Sequence, residues 1–332
     1  MTPYLPLSES TMQMLWQAIF HFLWQGTALW LAAMCVLHVS PIRTAHARYA
    51  FYCGLLTLLA ISPLVTLLVV SAGPNAATAD LADAPTRADN DAVFEVAANA
   101  VAKSSDGPSA IFPADASLDV AKSWLRYQRP VIVGAWLAGV ALMAARLVLG
   151  GIGVWTIARR RQPIPSETSR VVDRVARQLA FRVQPAVYAV ERISQAMAVG
   201  IFKPMVLLPA AWICDLPPDV LEAVIAHELA HLRRWDVAIN FAQRVVETVL
   251  FFHPVVWWCS RRLRIEREMC CDELAQAAIG NRVAYAKALA YLARQQCSTV
   301  EPLLAAGIGG VKMVLLERIR NILGLVPGGH GR

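Results

Sequence analysis

Apolar and polar positions divide this chain into two unlike parts before any motif is considered. From Met12 to Leu37 there are 26 residues with no Asp, Glu, Lys or Arg, and Tyr49 to Ala72 is a second uncharged apolar run. A third run, Pro130 to Ala158, is broken only by Arg146. A helix needs roughly 20 apolar residues to cross hydrocarbon, so the pattern predicts membrane spans at about 12–37, 49–72 and 130–158. A buried core helix is the competing reading of each run, and a cleaved signal peptide of the first. The leader MTPYLPLSES has no positive charge and the run behind it is too long, so an uncleaved anchor is expected.

Beyond Ala158 the period changes. Val171, Val172, Val175 and Leu179 recur at helical spacing and predict an amphipathic helix over Ser166 to Leu179. Two strand-like pieces follow, VYAV at 187–190 and PMVLLP at 204–209, separated by SQAMAVGIFK. They predict a small sheet leading into a helix that starts near LPPDV, where Pro217 and Pro218 suit a first turn and Asp219 and Glu222 complement its positive end. Val245 to Trp258 reads as a hydrophobic helix kinked at Pro254 and packed at the membrane face, with His253 buried or interfacial. Trp257 to Ile279 reads as one helix stopped by Gly280. The expected organisation is a membrane region, 1–158, with an external acidic loop at 73–129, followed by a second domain at 159–332.

Composition agrees with this division. Apolar residues make up 57% of the chain, too many for an ordinary soluble enzyme. Residues 1–158 hold 8 Lys and Arg against 9 Asp and Glu, whereas 159–332 hold 23 against 15. The leader has no basic residue, the first link has Arg43 and Arg48, and the third span ends in Arg159, Arg160 and Arg161. Positive charge marks the inner side, so the N-terminus is expected outside and everything beyond Arg159 in the cytoplasm. The loop from Gly73 to Lys122 has eight acidic and three basic residues, which fits the external side. A basic domain beside an anionic leaflet is explained by membrane apposition. No recognition-helix or RNA-binding signature accompanies the charge, so direct nucleic-acid binding is not expected. Seven cysteines, none in the external loop, point to reduced thiols rather than a disulfide framework.

The chemistry begins at AHELAHLRRWD, 226–236. His227 and His231 lie four apart on one helix face and can address one ion, while Glu228 is placed to act as a general base on bound water. A structural histidine pair on a surface helix is the alternative. An open zinc site needs a third ligand from another element. Glu268 and Asp272 share a face four residues apart, which makes Glu268 the favoured ligand and Asp272 the acceptor of a ligating histidine's N–H. Cys271 lies on nearly the same face and is the rival, with a buried filler as its favoured role. Glu266 points elsewhere, toward solvent or an arginine.

HELAHLRRWD (227–236), FFHPVVWW (251–258), RIEREMCCDE (264–273) and GIFKPMVLLP (200–209) together resemble the BlaR/MecR-type membrane zinc metallopeptidases, the protease modules of bacterial sensor-transducers. The resemblance runs from the first span to about Gly324. It implies a multi-pass α-helical protein of the bacterial inner membrane with a cytoplasmic α+β, gluzincin-like domain. His227, His231 and Glu268 would bind zinc, and Glu228 would be the catalytic base. The implied activity is signal-dependent cleavage of a cytoplasmic protein such as a winged-helix repressor, and of the chain itself. Full sensor-transducers continue into a fourth span and a penicillin-binding sensor. This sequence ends at Arg332 without an S-x-x-K motif followed by an external domain, so direct β-lactam sensing is not expected. Another protein or the short external loop is then expected to supply the signal, with a second copy of the chain or a separate sensor protein as partner. Residues 302–316 read as a partly buried or interfacial helix.

Two rival classes are a quality-control protease of the membrane HExxH kind and a catalytically silent transducer. For the peptidase, an extended substrate is expected to add to the edge of PMVLLP. The partner for the developing oxyanion is sought among Arg264, Tyr285 and Tyr291, each with a structural role as its alternative.

Overall fold

The computed structural model describes residues 8–40, 42–72 and 114–299, with Arg318, Arg320 and Ile322; side chains are omitted for 114–127 and 295–299. The acidic loop expected at 73–129 therefore falls outside the described residues as far as 113, and the segment 302–316 falls outside them entirely.

Three long helices come first: α1 (Glu9–Val39), α2 (Ala45–Ser71) and α3 (Ala114–Arg159). Each is long and apolar enough to cross a membrane. The third starts sixteen residues before the expected span at Pro130. Its leading stretch is rich in alanine and other helix formers, so it extends the helix without being apolar. Chain packing separates two units, residues 1–22 with 62–137 and residues 23–61 with 138–332. The first contains the N-terminal parts of α1 and α3 and the C-terminal part of α2. The second contains the rest and is the one that matters for chemistry.

In the second unit α3 leads into β1 (Gln162–Pro163), α4 (Ser166–Gln178), β2 (Ala186–Val190), β3 (Met197–Val199) and β4 (Met205–Pro209). Helices α5 (Ala210–Asp215), α6 (Pro218–Arg233), α7 (Asp236–Val249), α8 (Pro254–Ile279) and α9 (Arg282–Thr299) follow. The sheet order is β1-β2-β4-β3, with β2 and β4 parallel and both outer pairings antiparallel. This corrects one expectation. PMVLLP is an interior strand, and the sheet edge belongs to β3, which lies within the stretch SQAMAVGIFK read as a separator. Three residues are too few for a visible alternation. Gly200 (φ 86°) makes the turn back into β4, where a Cβ would collide with the Lys203 carbonyl.

The core lies between this sheet and the helices. Val172 and Val175 of α4, Val206 and Leu208 of β4, and Val224, Ile225 and Leu229 of α6 are buried together with Ala275 of α8 and Leu289 of α9. Helix α6 is thus gripped from several sides, and burying its Val224, Ile225 and Leu229 side chains is worth on the order of 6 kcal/mol. That fixes the orientation of the two histidines it carries.

The run Val245–Trp258 is not one kinked helix. Helix α7 stops at Val249, and α8 starts at Pro254 with His253 as its N-cap, accepting from the Val255 N–H at 3.2 Å. Proline at the first position of a helix costs no hydrogen bond, so it opens α8 rather than bending α7. Gly280 (φ 75°) closes α8. The start of α8 is wedged among the long helices. Trp258 meets the rings of Trp30 and Tyr52, the Cys259 thiol faces the Tyr52 carbonyl, and Arg48 pairs with Glu266 at 2.8 Å.

Candidate metal centre

Helix α6 sets His227 and His231 one turn apart, their ring centroids 4.8 Å from each other. Helix α8 crosses α6 and brings Glu268 to the same point. Its Oε2 is 3.4 Å from Nε2 of His227 and its Oε1 is 3.9 Å from Nε2 of His231. One ligand atom from each of the three residues falls within a 4.8 Å span, close enough to share one metal ion. Three protein donors would leave a fourth position on such an ion open, as a catalytic metal requires.

The other ring nitrogens are held from behind. Nδ1 of His227 lies 3.1 Å from Oδ1 of Asp272 and 3.1 Å from the Tyr285 hydroxyl, which itself donates to Asp272 at 2.8 Å. Nδ1 of His231 lies 2.9 Å from Oδ2 of Asp236. An Nδ1–H donated to a carboxylate leaves the Nε2 lone pair facing Glu268, which is the arrangement a metal ligand needs. Asp272 is clamped in turn by Arg318, with Nε and Nη2 each 2.7 Å from a carboxylate oxygen. The Arg318 guanidinium also stands 3.8 Å from Glu268.

These contacts outweigh burial. Burial works against charge on His227, yet its bonds to Asp272 and Glu268 lift its pKa to about 10. Burial would raise Glu268, but His227, His231 and Arg318 bring it down to about 2. Asp272 is held well below the usual carboxylate range, its burial overcome by the hydrogen bonds and charge of Arg318.

Cys271 is fully buried, 3.2 Å from Nδ1 of His231 and 3.1 Å from Asp236. Its sulfur therefore sits on the far side of the ring from Glu268. Burial, followed by the charge of Asp236, pushes its thiol far up, which disfavours the thiolate a metal would require. Glu228 is half-buried and faces a cavity of about 830 Å³ beside the three donors. Ala196 and Ala198 of the β3 region, Arg261, Arg267 and Arg318 are among its walls.

Five residues picked from sequence, His227, Glu228, His231, Glu268 and Asp272, thus converge. Glu266 points away and pairs with Arg48. Of the three residues considered for the oxyanion, Arg264 is bound to Glu247 at 3.0 Å, Tyr291 is exposed, and Tyr285 is turned behind His227. Asp236 and Arg318 were not singled out from sequence. Asp236 carried a signal, five residues after His231, whereas nothing in ERIR (317–320) sets Arg318 apart from its neighbours.

Residues 9–322 match the family model described as BlaR1 peptidase M56. The chain belongs to that family. The M56 match covers α1 and α2 as well as the candidate metal centre, so the apolar helices and the residues of that centre lie within one family match. One curated M56 relative is Regulatory protein BlaR1 of Bacillus licheniformis, 24% identical over 159 residues. The aligned region is 48% of this chain and 26% of that protein, so the chain spans about a quarter of the relative's length. The family is a peptidase family, and the chain has three helices long and apolar enough to cross a membrane.

Proposed function

We propose that the chain is a membrane-bound zinc endopeptidase, gluzincin-like in its site, that cleaves a cytoplasmic protein in response to a signal. The observation that carries this reading is the convergence of the Nε2 atoms of His227 and His231 on Glu268, beside a cavity and next to Glu228. The donor set fits zinc, because two imidazoles and one carboxylate with carboxylates behind the rings make an open three-ligand centre. Bound there, the ion would acidify water and polarise a scissile carbonyl.

The residues of the chain supply the rest. Glu228 takes the proton from the attacking water and delivers it to the leaving amine. Asp272 and Asp236 face Nδ1 of the two imidazoles, with Tyr285 beside Asp272, which leaves Nε2 for the ion and fixes the turn of each ring. Arg318, Arg267 and Arg261 give the cavity positive charge for an oxyanion. An extended peptide would pair with the outer edge of β3, to which no described strand is bonded, and Ala198 would lie beside it.

The basic residues flanking α1, α2 and α3 support an outside N-terminus and a cytoplasmic site in the inner membrane. The printed name of the relative, a regulatory protein, supports a regulatory role, with a winged-helix repressor or the chain itself as substrate. Co-expression of the chain with such a repressor, intact or as Glu228→Ala, tests the proposal. Loss of processing is expected, and unchanged fragments with Glu228→Ala would sink the peptidase mechanism.

A further inference from the structure

Helix α7 is inside out. Phe241, Val245 and Val249, spaced four apart on one face, are 47%, 41% and 38% exposed, while Gln243 and Glu247 on the other face are buried at 1% and 3%. A helix packed against a water-facing domain shows the reverse pattern. Glu247 is held inside by Arg244 and Arg264 and accepts from Gln243, so its buried carboxylate is paired, while Oε1 of Gln243 has no partner.

The position of the tip accounts for the inversion. The first half of α8 runs alongside the long helices in a steady order. Glu266 meets Arg48 near the start of α2, Trp258 meets Tyr52 and Trp30, and His253 reaches the Leu23 carbonyl at 3.2 Å. A Cβ on Gly26 would lie 2.8 Å from the His253 ring, and the Phe251 ring fills the space beside Gly139. Leu23 stands sixteen residues before the end of α1 at Val39, about 24 Å at 1.5 Å per residue. A hydrocarbon layer is about 30 Å thick.

We propose that α7 and the start of α8 form a re-entrant hairpin, whose tip, Val245–Trp258, is inserted into the hydrocarbon of the bilayer beside α1, α2 and α3. This rests on the membrane reading of those helices. The end of the tip, FFHPVVWW (251–258), has no formal charge, Glu247 above it is turned inward onto Arg244 and Arg264, and the backbone break is sheltered by α1 and α3, as non-helical backbone at such depth must be. Trp257 is 39% exposed, and Arg244 and Arg262 stand higher on the two arms, where headgroup phosphates would meet them. The occupant of the exposed stripe is therefore lipid rather than a protein partner. Glu268 lies fourteen residues up α8 from Pro254, about 21 Å, so the metal centre would sit close to the membrane surface.

The full chain in nanodiscs, carrying a benzophenone amino acid at Val245 or Trp257, tests this. Leu58, exposed on α2, and Phe202, 96% exposed at the β3–β4 turn, are the references. Lipid adducts at Val245 and Trp257 are expected at the level of Leu58, with loss of the lipid adduct at Phe202. Adducts to protein, or none, at both positions while Leu58 takes lipid would overturn the hairpin alone. Failure at Leu58 as well would overturn the membrane reading and the hairpin with it.

Discussion

Oδ2 of Asp236 lies 2.9 Å from Nδ1 of His231, although the aspartate belongs to the next helix. The turn between them makes this possible. Trp235 adopts a left-handed conformation (φ 59°), uncommon for a bulky residue, and the chain doubles back at once into α7. Asp236 also meets the Tyr49 hydroxyl at 3.4 Å, so a residue at the start of α2 touches the shell of the metal centre.

Removing that support should loosen the metal without removing a ligand. Asp236→Asn is expected to weaken zinc binding about 10–100-fold. Competition with a chromophoric chelator measures it, and an unchanged affinity would mean that His231 needs no partner behind it.

The third ligand can be separated from its rival in one comparison. Glu268→Ala is expected to lose bound zinc, while Cys271→Ser retains about one equivalent, because the sulfur lies on the Nδ1 side of His231. Metal analysis of the purified variants decides it, and the opposite pattern would assign the ligand to Cys271.

Arg318 acts through Asp272, and its fork matters more than its charge. Arg318→Lys keeps one positive charge but cannot make both 2.7 Å contacts. A loss of about tenfold in zinc affinity is expected from it. Equal affinity for the two forms would leave the arginine outside the support of His227.

Glu247 supports the fold independently of the metal centre. Its buried carboxylate meets Gln243 at 3.0 Å, Arg244 at 2.9 Å and Arg264 at 3.0 Å. Glu247→Gln should cost about 1–2 kcal/mol of stability, because two charge-assisted hydrogen bonds are weakened while the arginines keep access to solvent. Thermal melts in detergent measure it, and an unchanged midpoint would contradict the assignment.

The helices and the donors on them were legible because their signals are local. Two prolines and an apolar face announce α6, and the four-residue spacings of His227 with His231 and of Glu268 with Asp272 place each pair on one side of its helix. The sheet order was not legible, since β3 is three residues long and β4 looks like an edge only if β3 is missed. The break before α8 was hidden in a continuous apolar run, in which Pro254 suits a kink as well as a helix start. Arg318 was invisible for another reason. Its partner lies 46 residues away, and arginines are plentiful in this half of the chain.

Helix α8 is also a mechanical part. Its 26 residues form one unbroken rod, with Trp258 lodged between Trp30 and Tyr52 near one end and Glu268 and Asp272 carried further along. A helix turns about 100° per residue. A twist of the long helices that moved Trp258 by one position would swing Glu268 away from both imidazoles and draw Asp272 off His227. Such a rod would carry a rotation imposed at Trp258 on to Glu268 and Asp272, since no break in the helix lies between them.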